Sequence, residues 1–182
     1  MRTRFILLFF IAASWVILQT SCVSSKPGSG DEAAWLKSGK EHYEKEQYDK
    51  AIQDHYVSIA LKPQEAITCL DILEICIIAA KPEQFKQWLS QFETAIPESK
   101  LSKDFLIIKL YLVCLNKCVL NEPRTEIENR LGALLKEKIE LSWSFELTDE
   151  WLDNPKNGLT PEQVKYMRGL TDKVKTSQKN LK

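Results

Sequence analysis

The chain has 182 residues, with 25 lysines and arginines set against 25 aspartates and glutamates, and 44% of its residues are hydrophobic. A neutral balance is no electrostatic footprint for nucleic acid, and 6 glycines are too few for a loop-rich all-β protein. The length suits one domain with a real core, in which helix should dominate.

In chain order, Arg2 and Arg4 precede an apolar run over residues 5–18 that only Ser14 interrupts. A comfortable bilayer span needs about 20 apolar residues, so basic residues followed by this shorter run read as an export signal. The run closes on Leu18, Gln19, Thr20, Ser21 and Cys22, which resembles the lipobox of bacterial lipoproteins. In that family the cysteine receives a diacylglycerol thioether, the signal is cut in front of it and the new amino terminus is acylated. The resemblance thus implies residues 1–21 as a signal peptide, Cys22 as the lipidated residue and a membrane as a partner through the lipid anchor. Gln19 departs from the motif, which usually has leucine or a similar apolar residue there. An ordinary secretory signal cut nearby, with Cys22 incidental, and an uncleaved anchor are the alternatives. Residues 22–31, short, polar and rich in glycine and serine, have the composition of a flexible tether and favour the lipoprotein reading. In an acylated chain each buried methylene contributes about 0.8 kcal/mol, so release would be negligible. Val23 is not the aspartate that keeps enterobacterial lipoproteins in the inner membrane, which implies the outer membrane, facing the periplasm. Loss of Arg2 and Arg4 with the signal leaves the mature chain slightly acidic.

Residues 32–65 hold the clearest pattern. Trp35, Leu36, His42 and Tyr43 give a first helix an apolar and aromatic face, and Gly39 offers no side chain where a neighbouring helix must come close. Tyr48, Ala51, Ile52, His55, Tyr56 and Ile59 recur at three- and four-residue steps in a second helix, which Pro63 ends. The spacing of Trp35, Gly39, Tyr43, Tyr48, Ala51, Ser58 and Pro63 resembles a tetratricopeptide repeat, a helix-turn-helix unit of about 34 residues. Two letters depart from the family: Ser38 stands where leucine is usual, and His55 where an aromatic residue is usual. One repeat cannot bury its face alone. The resemblance therefore implies an all-α, tetratricopeptide-like stack of antiparallel helix pairs, about three pairs plus a C-terminal capping helix, over residues 32–182.

Residues 66–99 read as a degenerate second repeat. The stretch 66–80 is apolar almost all round, broken only by Asp71 and Glu74, which suits a helix enclosed by neighbours and is too short and too charged to span a membrane. Pro82 opens a second helix with Phe85, Trp88, Leu89 and Phe92 at helical steps, and Pro97 ends it one repeat length after Pro63. Residues 100–141 form a third pair. Its first helix, over 101–120, carries Ser102, Lys109 and Asn116 as a narrow polar line at seven-residue intervals. Asn121, Glu122 and Pro123 make a turn, after which Ile127, Leu131, Leu134, Leu135 and Leu141 give an apolar face opposite Glu126, Glu128, Arg130, Lys136 and Glu137. Residues 142–182 hold an aromatic loop and the capping helix. Trp143, Phe145 and Leu147 alternate with polar residues, Thr148 caps a short turn containing Trp151 and Leu152, and 153–158 is a loop. The loop's aromatics should pack onto the last repeat. Thr160, Pro161 and Gln163 then start a helix with a reciprocal cap, turning Val164, Met167, Leu170 and Val174 inward, and the tail beyond Lys175 is polar.

Chemistry-bearing motifs are sparse. Cys69 and Cys76, and Cys114 and Cys118, lie on apolar faces as core thiols, with a bridge between the two helices or metal ligation as alternatives. His42 and His55 could approach one another, but no third metal ligand is evident by spacing. Glu146, Asp149, Glu150 and Asp153 crowd the aromatic loop, where caps and solvated charges are the commoner reading than paired catalytic carboxylates. Neither a serine-histidine-acid motif nor a glycine-rich phosphate loop is present. The expectation is therefore no catalytic residue, no metal and no cofactor. Tetratricopeptide arrays present a concave surface, built from the first helix of each pair, that holds a peptide or helix of a partner. The resemblance places Ala33, Leu36, Lys37, Lys40, Tyr43 and Glu44 at matching positions. Lys37 and Lys40 are the candidates for meeting an acidic segment or carboxylate, with Tyr43 adding a flat apolar contact; the alternative is an ordinary solvated helix face. The implied role is that of an envelope adaptor that binds a protein or peptide. A ligand-handling accessory of an envelope transport system is the second reading, and an enzyme whose carboxylates converge in a cleft is the third.

Overall fold

The helical unit opens at Glu32, and the computed structural model describes residues 32–61, 66–137, 141 and 143–179. Residues 1–31, on which the expected signal segment, lipidated Cys22 and tether fall, and Pro63 lie outside the described residues. Within them the protein is all-α: α1 (Glu32–Glu44), α2 (Tyr48–Leu61), α3 (Ala66–Ile78), α4 (Pro82–Ala95), α5 (Lys103–Val119), α6 (Thr125–Leu134), α7 (Glu146–Asp153) and α8 (Pro161–Lys179), with one 3₁₀ turn at Glu98–Lys100. None of these helices is long and apolar enough to cross a membrane.

The first two helix pairs match in length, 13 then 14 residues in each. The first helices of all three pairs also stop in the same way. Glu46, Ala80 and Asn121, just past α1, α3 and α5, take left-handed φ values of 56°, 52° and 55°. The N–H of the following residue reaches back five places in each case: Gln47 to the His42 carbonyl (2.9 Å), Lys81 to Cys76 (2.8 Å) and Glu122 to Lys117 (2.8 Å). The left-handed residue itself bonds three places back, to Tyr43, Ile77 and Cys118. This double closure satisfies carbonyls that a helix end would otherwise leave without donors. Three recurrences of one terminator, the first two a repeat length of about 34 residues apart, are compatible with a helical-repeat stack. The third pair is longer because of the 3₁₀ linker and a 17-residue α5.

The core lies along α3 and α5. α3 packs against α2, α4, α5 and α7, and α5 packs against α3, α6 and α8. Leu70, Ile72, Leu73 and Ile75 of α3 meet Ile107, Ile108, Tyr111, Leu112 and Leu115 of α5, all fully buried. Each such side chain contributes about 1.5–3 kcal/mol by leaving water. The aromatic segment packs as expected: Trp143, Phe145 and Trp151 are buried, and the Phe145 ring stands edge-on to Tyr111 at 5.6 Å. The reciprocal cap forms between Thr160 and Gln163, whose amide group also donates to the Cys118 carbonyl (2.9 Å) at the end of α5. Met167, Leu170 and Val174 face inward.

Three local expectations need correction, while the narrow polar line of α5 is enclosed by its neighbours. Lys109 and Asn116 are both buried, and the Lys109 ammonium lies 2.6 Å from Glu93 and 2.9 Å from Glu98, which Arg130 also engages at 2.7 Å. Hydrogen bonds from Lys109, then Arg130, hold the Glu98 carboxyl below the usual carboxylate range. The helix after Pro123 ends at Leu134, so Leu141 belongs to a separate segment of the core. Thr148 is not a cap. α7 starts at Glu146 with Phe145 before it, and Thr148 points into the core from within it. Tyr56 is exposed, with its ring 5.3 Å from that of Trp88.

Candidate functional site

The α1–α2 pair is anchored by the letters that depart from the repeat. Ser38 donates its hydroxyl hydrogen to Asp54 (2.6 Å), and the His42 Nδ1 lies 2.8 Å from the same carboxylate oxygen. Asp54 is buried, so a leucine at position 38 would set a hydrocarbon where a carboxylate needs a donor. His55 fills the space over Gly39: a Cβ on that glycine would stand 2.8 Å from the imidazole. Burial lowers the His55 pKa to about 4, against the pull of Asp54, so the ring is neutral near pH 7.

With that side fastened, α1 turns Lys37 and Lys40 outward. Both are exposed, and among the described residues neither has an ion-pair partner. Ala33 and Glu44 are exposed as well, and Leu36 is half-buried. Tyr43 sits differently. At 3.6 residues per turn, each three-residue step drifts roughly 60° round the helix, so Tyr43 is displaced from Lys37 toward the core. It is half-buried, edge-on to Tyr48 at 5.6 Å, and burial followed by the nearby Glu74 carboxyl raises its phenol above the ordinary value. The two lysines share an open face, and Tyr43 marks its inner edge.

No family model, no curated protein and no solved structure matches the chain.

A second set of groups lies inside, where α3, α5, α7 and α8 meet. Thr148 of α7 donates its hydroxyl to Glu74 of α3, and both residues are buried. Burial pushes the Glu74 carboxyl up to about 8; the Thr148 bond opposes this and Asp71 adds to it. Burial also raises Asp71, to about 7. Tyr111 and Thr171 are paired at 2.8 Å, and because Thr171 gives its only hydroxyl hydrogen to the Met167 carbonyl, Tyr111 is the donor. The sequence flagged Glu74 only as an interruption of an apolar run. An acid alone in such a run is the signal that could have found this cluster.

The other chemistry-bearing residues stay apart. Asp149 pairs with Lys175 and Asp153 with Arg168, while Glu146 and Glu150 are exposed, so the four acids of the aromatic segment do not converge. Cys69, Cys76, Cys114 and Cys118 are free thiols, and burial pushes Cys76 and Cys114 up to about 12. Among the described residues no three His, Cys, Asp or Glu side chains gather as metal ligands. Between α6 and α8 runs a groove of about 560 Å³ that sequence reasoning missed, with Leu131, Leu135 and Leu170 in its lining and Gly132 and Gly169 on its two sides. Two glycines inside helical patterns were its only signal.

Proposed function

We propose that this protein is a bacterial envelope lipoprotein, lipidated at Cys22 after loss of residues 1–21, whose tetratricopeptide-like helical domain binds another protein. The tether of residues 22–31 holds the domain off the membrane, and Val23, standing in place of a retention aspartate, favours the outer membrane, facing the periplasm. Its work is adaptor binding rather than catalysis, without cofactor or nucleic acid. The observation that carries the binding reading is the pair of exposed ammonium groups, Lys37 and Lys40, which have no ion-pair partner among the described residues and lie one turn apart on a helix whose other side is fastened to α2. Such a pair attracts an acidic segment or a terminal carboxylate, with Tyr43 at the edge for an apolar contact. The filled seam between α3 and α5 counts against the second reading, in which the apolar helices would enclose a transported ligand.

Photocrosslinkers at positions 37 and 40 in the native membrane, with identification of the attached protein, test the binding face. The expected result is one dominant adduct that disappears when the other lysine is reversed to glutamate. No adduct above background, or one indifferent to charge reversal, removes the proposal. Labelling with a fatty-acid probe tests the anchor independently: the Cys22→Ala protein should carry no label, and unchanged label defeats that claim.

A further inference from the structure

Glu74 is fully buried yet has no cation against it among the described residues. The groups around it come from five helices: Tyr43 of α1, Asp71 of its own helix, Tyr111 of α5, and Asp149 of α7, which is tied to Lys175 of α8. Glu150 of α7 acts on Tyr43 from the same side. Three of these groups are acids and two are phenols, and the one ammonium is engaged by Asp149. A buried carboxylate held only by the hydroxyl and the backbone N–H of Thr148, with no cation against it, is costly in a medium that solvates charge poorly. Release of the proton to solvent therefore leaves a charge whose cheapest relief is water.

We propose that α7 is a proton-operated latch, shut on α3 and α8 while Glu74 is uncharged and lifting away when Glu74 ionises. α7 is the element that yields, for reasons of size and attachment. α3 and α5 are enclosed by neighbours along their length, whereas α7 has eight residues and packs mainly against α3 and α8. A helix that short is not stable by itself, so it persists only while docked. Its polar hold on α3 runs through Thr148 to Glu74, and its hold on α8 through Asp149 to Lys175 and through Asp153 and the Leu152 carbonyl to Arg168. The Tyr43 phenol feels the charges of Glu74 and of Glu150 in α7, so an open latch changes the surroundings of the inner edge of the α1 face. That last consequence rests on the binding role proposed for α1; the latch itself does not.

Linkage sets the size of the effect. With the Glu74 pKa near 8 in the shut form and returning toward 4.5 in the open one, the opening constant rises about tenfold per pH unit between those values and levels off above. Hydrogen exchange of the full-length chain, corrected for intrinsic rates, should show the α7 amides losing about a hundredfold protection between pH 5.5 and 7.5, while central α5 amides do not follow. In Glu74→Gln, the neutral isostere, α7 protection should be the same at both pH values. Carboxyl NMR of the native chain gives a readout that needs no variant: Glu74 should titrate near the pH at which α7 exchange levels off. Protection of α7 that ignores pH, an equal loss in Glu74→Gln, or a Glu74 titration in the ordinary acid range overturns the latch.

Discussion

The imidazole of His55 occupies the place where any side chain on Gly39 would have to go, with 2.8 Å between an added Cβ and the ring carbon Cδ2. Helix propensity alone would make Gly39→Ala stabilising by about 1 kcal/mol. The contact reverses that sign, because His55 is buried and the Ala51 carbonyl lies 3.4 Å from the same Cβ. Overpacking costs about 1–3 kcal/mol, so Gly39→Ala should lower the stability measured in urea. His55→Ala in the same chain should restore most of the loss. Additive effects of the two changes would show that the rings and backbone are not in contact.

Placing at position 38 the leucine that is usual in tetratricopeptide repeats should harm the protein. Ser38→Leu removes one of the two groups that Asp54 holds from α1 and leaves a buried carboxylate short of a donor, at a cost of about 1–3 kcal/mol. Asp54→Ala orphans both Ser38 and His42 and should cost about as much. Equilibrium denaturation of the two variants checks this, and a Ser38→Leu protein more stable than the native one would contradict it.

Stability should respond to pH in opposite directions through two buried groups. The Glu74 pKa is raised in the folded chain, so its contribution is fully present below about 4.5 and is lost as the pH rises through about 8, at up to about 1.4 kcal/mol per pH unit. Asp71 acts in the same sense up to about 7. His55 is lowered, so its contribution is present above 6.5 and lost as the pH falls through about 4. Urea unfolding from pH 4 to 8 should show a flatter decline between pH 4.5 and 8 for Glu74→Gln and a smaller loss below pH 6.5 for His55→Gln. Curves parallel to the native one in both variants would remove these assignments.

The left-handed helix terminators carry a cost that glycine would relieve. A non-glycine residue in that conformation loses about 1 kcal/mol or more, so Ala80→Gly should raise the melting temperature by a few degrees. Gly169→Ala should do so too, for the opposite reason: it lies inside α8, and a Cβ there meets nothing within 4 Å. Scanning calorimetry reads both. A lower melting temperature for Ala80→Gly would mean that the φ of 52° is not a strained one.

Periodicity and punctuation in the sequence were enough to predict the long helices, though not α7, which lies in the stretch read as an aromatic loop with a short turn, and also the close approach at Gly39 and the reciprocal cap at Thr160 and Gln163. These depend on residues a few positions apart, where sequence distance and spatial distance agree. The tetratricopeptide resemblance, rather than periodicity, singles out Lys37 and Lys40, and both are exposed on α1. The rest depended on which helices meet. The sequence shows Lys109 and Asn116 as a narrow polar line without the acids that face it, which are Glu93 and Glu98 for the lysine, and Thr148 looks like a cap until α7 brings it to Glu74, 74 residues away. Burial of a charge, the partner that offsets it and the resulting pKa are properties of the assembled helices, because a neighbouring surface rather than the local sequence decides whether water can reach the group.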